Sequence, residues 1–420
     1  MVVVLVLATA GPIYAVVMIL AVGGLTGIVV LGAERAGMIA FMLAFGTAPM
    51  YRGLQNLSGG FATPTDIFLV LGILLLFPGL VARRLWLPPP YVMGVVAVAL
   101  LGLLASTFAE SPIFSIFTLV QWLFFLGVLP LVIAWWRPGV NVVVTLLWSY
   151  VAGQGASILY ALAKGPTVGN RYQGLSHHIN AFGMAGMTAL AILLYLFHHH
   201  RGAQARVIVL GAAAVCGASV FMSGSRAALA VAVVLVVMVP VVERSAVSGF
   251  AFGLVGGLGL VALPLIVQSG HAPSALARLL GDKTAEVADQ ARSLGLEEGF
   301  RRLHESPVLG GGLNEVEVIH NVFLEVAVGI GLIGLVFYLV TLFTLSVPLI
   351  GQHPHRRLCY LPVAFIGMGP ALPGIFDRTM WVPISLCILA SFSDWPGGTP
   401  AEETTVAGST AELSPVAATS

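Results

Sequence analysis

A few histidines and arginines carry what chemistry this chain can do. Arg171 and Gly174 precede Ser176-His177-His178-Ile179-Asn180, just ahead of an apolar run. Ser223-Gly224-Ser225-Arg226 forms a turn between two apolar runs. Arg292, Arg301 and Arg302 lie in the longest polar stretch, and His320-Asn321 follows it. After nine intervening residues come Gly331 and Gly334. An imidazole at the mouth of an apolar segment is placed for proton transfer near neutral pH.

The residue types narrow the chemistry. Arginine stays protonated, and its planar fork matches phosphate oxygens. A cage of arginines at a membrane edge suits a lipid-linked diphosphate. A helix N-terminus and nearby positive charge favour a neutral imidazole, which can take a proton from a hydroxyl. No Asp-x-Asp pair or His/Cys/carboxylate cage suggests a metal site. Arginines can stabilise a diphosphate leaving group instead, so neither metal nor cofactor is expected.

These residues need elements to hold them. The chain has 420 residues, 58% hydrophobic and only 9% charged. A soluble domain carries about 25% charged residues. Apolar runs of spanning length recur throughout and are continuous rather than alternating, which favours helices over a barrel. The expected fold is all-α: a polytopic integral membrane protein of about 12 spans, or 12–14 with residues 1–31. The spans fall near 38–50, 66–82, 92–107, 113–134, 140–162, 180–197, 206–222, 226–242, 248–268, 320–348, 358–375 and 380–393, to within about four residues.

Residues 1–394 form the transmembrane domain, and 395–420 read as a disordered cytoplasmic tail. Residues 269–319 form one long extracytoplasmic loop, with amphipathic helix across 285–305. The N-terminal apolar stretch reads as membrane helix, not as a cleaved signal. A net charge of +1 leaves no nucleic-acid footprint.

Orientation follows from the short loops. Arg35, Arg83, Arg84, Arg137, Arg201, Arg206, Arg244, Arg356 and Arg357 fall on one side. Arg52, Lys164, Arg171, Arg226 and Arg378 fall on the other. The richer side is expected to be cytoplasmic. All four polar clusters then meet the extracytoplasmic face.

Several residues have simpler expectations. Gly331 and Gly334 allow close helix packing. Glu325, one turn inside a span, must face the protein interior. Asp377 and Arg378 read as a loop ion pair, and His198-His199-His200 as an interfacial polar cluster. Cys216, Cys359 and Cys387 lack metal or redox spacing and read as small packing residues.

His320-Asn321, nine residues, then Gly331-x-x-Gly334 resembles the histidine motif of the bacterial O-antigen ligase family, which includes related polymerases and protein O-oligosaccharyltransferases. Ser306-Pro307-Val308-Leu309-Gly310-Gly311-Gly312 resembles the element preceding that histidine. Ser225-Arg226-Ala227 resembles its serine-arginine turn, and Arg171-x-x-Gly174 with Asn180 a further element. The likeness runs from about residue 165 to 348, with four elements in order.

The resemblance implies metal-free transfer of a glycan from an undecaprenyl-diphosphate carrier to an acceptor hydroxyl at the periplasmic face of the bacterial inner membrane. The acceptor would be a lipid A core sugar; a growing glycan and a protein hydroxyl are the alternatives. His320, Arg226 and Arg292 would be catalytic, with Arg301 as second candidate for the loop arginine. Arg171, Gly174, His178, Asn180, Ser225, Arg301, Arg302 and Asn321 would line the substrate site. The doubled His177-His178 departs from the family pattern and offers a second base. A membrane transporter of lipid-linked glycan is the rival of another class.

Overall fold

The computed structural model describes residues 28–54, 62–81, 83–167, 171–246, 286–314, 316–372 and 374–392, with positions 26 and 249. The expected span at 248–268, most of residues 1–31, the loop 269–285 and the tail from 395 lie outside the described residues. Those described are helical, with no strand.

Twelve helices organise them. They are α1 Ala33–Thr47, α2 Pro64–Leu80, α3 Pro89–Thr107, α4 Pro112–Trp136, α5 Val140–Lys164 and α6 Ile179–His199. Then come α7 Ala203–Ser223, α8 Arg226–Val242, α9 Glu286–Glu305, α10 Val322–Ser346, α11 Tyr360–Met368 and α12 Arg378–Ile384. Among the described residues six helices are long and apolar enough to cross a membrane: α3, α4, α5, α6, α7 and the stretch Val322–Ile350 that contains α10. A segment of about 20 residues spans a hydrocarbon core.

Proline and glycine punctuation sets many of the ends. Proline opens α2, α3 and α4 at the first helical turn, where its missing N–H costs nothing. The expected span 358–375 holds only a short α11. Pro370 opens a tighter turn after Met368, and the chain is extended by Leu372. Likewise α12 gives way after Pro383 to a 3-10 turn over Ser385–Ser391.

Packing sorts the helices into centre and rim. In α6, 78% of the apolar window is buried, against 22% in α7. The outward faces keep large apolar side chains such as Leu74, Leu100, Ile113, Phe114, Val237 and Phe343 exposed, the surface expected against lipid. Backbones approach closely at small residues. A Cβ on Gly153 would lie 1.8 Å from the Gly46 carbonyl oxygen, so α1 and α5 touch main chain to main chain.

The described part of the polar stretch is one helix, α9, followed by a short turn over Val316–Ile319. Leu296 and Leu303 of α9 pack on Val316, Ile319, Leu324 and Val328. A Cβ at Gly299 would meet Leu324 at 2.8 Å, so α9 lies close against the start of α10.

Helix α10 is broken. Ile330 and Gly331 leave helical geometry, with φ +76° at Gly331. The loop 307–312 docks there. Gly311 N–H donates to Val328 O at 2.8 Å, Gly312 N–H to Gly329 O at 2.9 Å, and Leu332 N–H to Pro307 O at 2.9 Å. A broken helix is tolerated at membrane depth when neighbouring backbone satisfies its freed groups. The two glycine-bearing motifs of the sequence are therefore halves of one joint. Gly331 does more than permit helix packing: a Cβ there would fall 1.9 Å from the Val308 carbonyl oxygen.

Candidate functional site

The starts of helices α6, α8 and α10 are each capped by a side chain. The His178 ring Nδ1 accepts from Ala181 N–H at 3.3 Å. Ser225 Oγ accepts from Ala228 N–H at 3.4 Å. Asn321 Oδ1 accepts from Phe323 and Leu324 N–H at 3.1 and 3.2 Å. The positive ends of α6 and α8 thus share one cleft, an arrangement that favours anions.

A narrow cleft lies at the starts of α6 and α8, about 490 Å³ with its open mouth included. Arg52, His178, Asn180, Ser225, Arg226, Arg292 and Asp377 supply its polar lining; Met184, Met368 and Leu372 supply apolar walls. Arg226 enters from the first turn of α8, and Arg292 from α9. Both contact Asp289. Arg226 Nη2 donates to Asp289 Oδ1 in a short contact, and Arg292 Nη1 lies 3.6 Å from the same oxygen. One carboxylate therefore sits where two guanidinium groups converge.

Arg171 is placed behind this lining. Its Nε donates to Ser223 O at 2.7 Å and its Nη2 to Asn180 Oδ1 at 2.9 Å. It ties the loop before α6 to the turn before α8, joining two of the sequence motifs. Gly174 is structural as well, with φ +55° and Ser157 Oγ only 2.4 Å from where a Cβ would fall.

Of the residues expected to bind substrate, Arg301 and Arg302 are elsewhere. Arg301 is exposed and pairs along its own helix with Glu298 and Glu305, at 2.6 and 2.5 Å. Arg302 Nη2 donates to Asn314 O at 3.0 Å. The helical period explains both: residues nine and ten positions beyond Arg292 sit about 1.5 Å per residue further along α9, past the cleft. Arg292 alone of the three lines it.

The two histidine positions differ. His178 faces the cleft. Burial lowers its pKa below the ordinary 6.5; the charges of Arg52, Arg171 and His320 lower it too, and Asp377 opposes them. Its ring is therefore neutral at pH 7. Because Nδ1 accepts from Ala181 N–H, the neutral ring carries its proton on Nε2. In this geometry His178 offers a donor to the cleft, not a base. His320 is half-buried beside Asn321 in the left-handed region, φ +55°. It is not among the residues lining the cleft, though its charge reaches His178. A non-glycine residue held in that conformation stores backbone strain, which clusters at functional sites.

A second set of charges supports the far wall. Asp377 caps α12 and accepts from Tyr51 OH at 2.8 Å and Arg52 Nη2 at 3.0 Å. Arg378 instead forks onto Asp66 at 2.8–3.1 Å. Asp377 and Arg378 are thus both paired, but with α1's extension and α2 rather than with each other. Glu325 faces inward as expected, accepting from Gly374 N–H at 2.9 and 3.2 Å.

Sequence reasoning missed Arg52 and Asp377 as cleft residues, and Asp289 as the shared partner of Arg226 and Arg292. Asp289 carried a signal, standing three residues before Arg292 on an expected helix, the spacing of a same-face pair. Arg52 carried none beyond its side of the membrane. Among the described residues no group of three or more His, Cys, Asp or Glu side chains is placed to hold a metal ion. No protein-family model and no curated protein matches the chain.

Proposed function

We propose that this chain is a membrane glycosyltransferase that takes a glycan from an undecaprenyl-diphosphate carrier. The observation that carries this reading is the carboxylate shared by two arginines of the cleft lining. Arg226 and Arg292, 66 positions apart, converge on Asp289, and both line the cleft at the starts of α6 and α8. An anion with more oxygens than a carboxylate gains more from the same two forks. The apolar helices supply the membrane that holds the carrier, and the likeness to O-antigen ligases supplies the transfer chemistry.

In this reading the donor diphosphate displaces Asp289 and lies between Arg226 and Arg292, with His178 Nε2–H as a further donor. The acceptor oxygen attacks the anomeric carbon. The bond from that carbon to the diphosphate oxygen breaks, and its electron pair leaves with the diphosphate. The acceptor proton goes to His320, which the acceptor meets outside the cleft lining. Direct displacement inverts the anomeric configuration. The arginines stabilise the leaving charge in place of a metal. The reading includes a bacterial inner membrane, about 12 spans, and a periplasmic site, following the bias of basic residues to the opposite loops.

A transporter reading is less well supported. Transporters use broken helices as midplane binding sites. Here the break in α10 is filled by loop 307–312, bonded to it on both sides.

The test is single-turnover transfer by the purified full-length chain in lipid nanodiscs, using undecaprenyl-diphosphate glycan and a lipid A core acceptor. Transfer with inverted product, unaffected by EDTA, is expected. Abolition by EDTA with rescue by a divalent ion would overturn the arginine mechanism. Glycan analysis of a deletion strain separates the acceptors: loss of capped lipid A, shortened chains, or loss of glycoprotein.

A further inference from the structure

We propose that a second cleft, at the opposite end of α1 and α5, binds the phosphodiester headgroup of an anionic membrane lipid. Arg35, Arg83 and Arg137 line it, with Glu34, Met38 and Trp136. It holds about 770 Å³, its mouth included. Three arginines and one carboxylate residue thus line it. The Arg83–Glu34 contact is 3.7 Å between exposed groups, so it compensates little of that charge.

The cleft is built rather than incidental. Arg83 Nη1 donates to Trp136 O at 2.5 Å, and Trp135 Nε1 donates back to Arg83 O at 2.9 Å. This reciprocal pair fixes the loop after α2 to the end of α4. Arg137 closes α4 in the left-handed region, φ +49°, its N–H on Ile133 O at 2.9 Å. Its guanidinium lies over the Phe392 ring at 4.4 Å.

A lipid, not a free anion, is the occupant that the surroundings select. Helix α5 runs from this cleft toward the first one over 25 residues. At about 1.5 Å per residue that is roughly 37 Å, a bilayer core with its headgroup margins. The second cleft therefore sits at the other interface. Trp136 lines it and Trp135 is bonded to Arg83 beside it, as aromatic residues are placed at headgroup level. Beside Arg83 the outer face of α2 exposes Leu74, Phe77 and Val81. A phosphodiester held by the arginines would lay its acyl chains on that face. The basic side of the sequence, expected to be cytoplasmic, is the side where anionic lipids attract such clusters. The inference needs the membrane but not the transfer chemistry.

Native mass spectrometry of the full-length chain in uncharged detergent, titrated with phosphatidylglycerol or phosphatidylcholine, tests it. Phosphatidylglycerol should be retained at least about tenfold more tightly. Arg35→Glu should weaken it by roughly tenfold or more, since each basic residue contributes on the order of fivefold. Arg35→Lys should retain most binding. Arg35 is the chosen position because the Arg83–Trp136 brace and the Arg137 cap remain. Equal binding of the two lipids, or wild-type phosphatidylglycerol binding by Arg35→Glu, would overturn the proposal. Competition by millimolar inorganic phosphate would also overturn it, showing a general anion site.

Discussion

Asp289 competes with the ligand that the proposed function assigns to Arg226 and Arg292. Both partners are partly exposed, 29% for Arg226 and 44% for Asp289, so the pair is worth about 1 kcal/mol or less. Asp289→Asn should therefore tighten diphosphate binding by up to about fivefold, measured by calorimetry with pyrophosphate or donor. Unchanged or weaker binding would show that Asp289 organises the site rather than occupying it. Arg226→Ala should weaken donor binding and slow transfer together, and Arg226→Lys should rescue only in part. His320→Ala should lose transfer by roughly 10²-fold or more while donor binding stays near normal. Wild-type transfer by that variant would make His320 a structural residue. His178 gives a pH signature. Its pKa is lowered in the fold, so the neutral ring is the form the native state favours. That stability is complete above the ordinary value of 6.5 and is lost as pH falls toward the lowered native value. His178→Asn keeps an N-cap acceptor but cannot titrate. Melting midpoints from pH 8 to 5 should fall more steeply for wild type than for this variant.

At the scale of elements, the joint between loop 307–312 and the break in α10 ties together the segments that carry Arg292 and His320. The loop leads from α9, which carries Arg292, to the turn that carries His320. Three backbone hydrogen bonds hold it into α10. Gly331→Ala must fit a side chain at φ +76° and within 1.9 Å of the Val308 carbonyl oxygen. It should cost more than about 2 kcal/mol and lower the melting midpoint. Gly310→Ala tests the other half of the joint. Its φ is +76°, and a Cβ would lie 2.6 Å from Gly331 N. A variant of either that melts and transfers like wild type would mean that the joint does not position the site. The spacing of His320, Gly331 and Gly334 was legible as a motif. Its physical reason was not, because the partner of Gly331 lies more than twenty residues upstream and only docking brings them together.

At the scale of the molecule, the proposed orientation makes α9 and the Arg84 loop opposite faces. Cys216, Cys359 and Cys387 are buried, out of reach of an impermeant thiol reagent. An impermeant maleimide applied to intact spheroplasts should label Arg301→Cys and leave Arg84→Cys unlabelled until lysis. The reverse pattern would invert the topology and remove the periplasmic site. The sequence by itself determined the all-helical class, the membrane character and the positions of most described helices. These follow from apolar runs, proline and glycine, which act within a segment. It also picked out Arg226, Arg292 and His178, because charge is costly at the edge of an apolar body and therefore conspicuous there. Tertiary structure alone decided which of the polar residues meet. It turned Arg171 into a brace, moved Arg301 and Arg302 along α9 away from the cleft, brought Arg52 and Asp377 to it, and set Asp289 against Arg226 and Arg292. Such pairings depend on the relative placement of helices hundreds of residues apart in sequence, as with Tyr51 and Asp377, separated by 326 positions. Apolar periodicity fixes where a helix lies but carries no record of its distant neighbours.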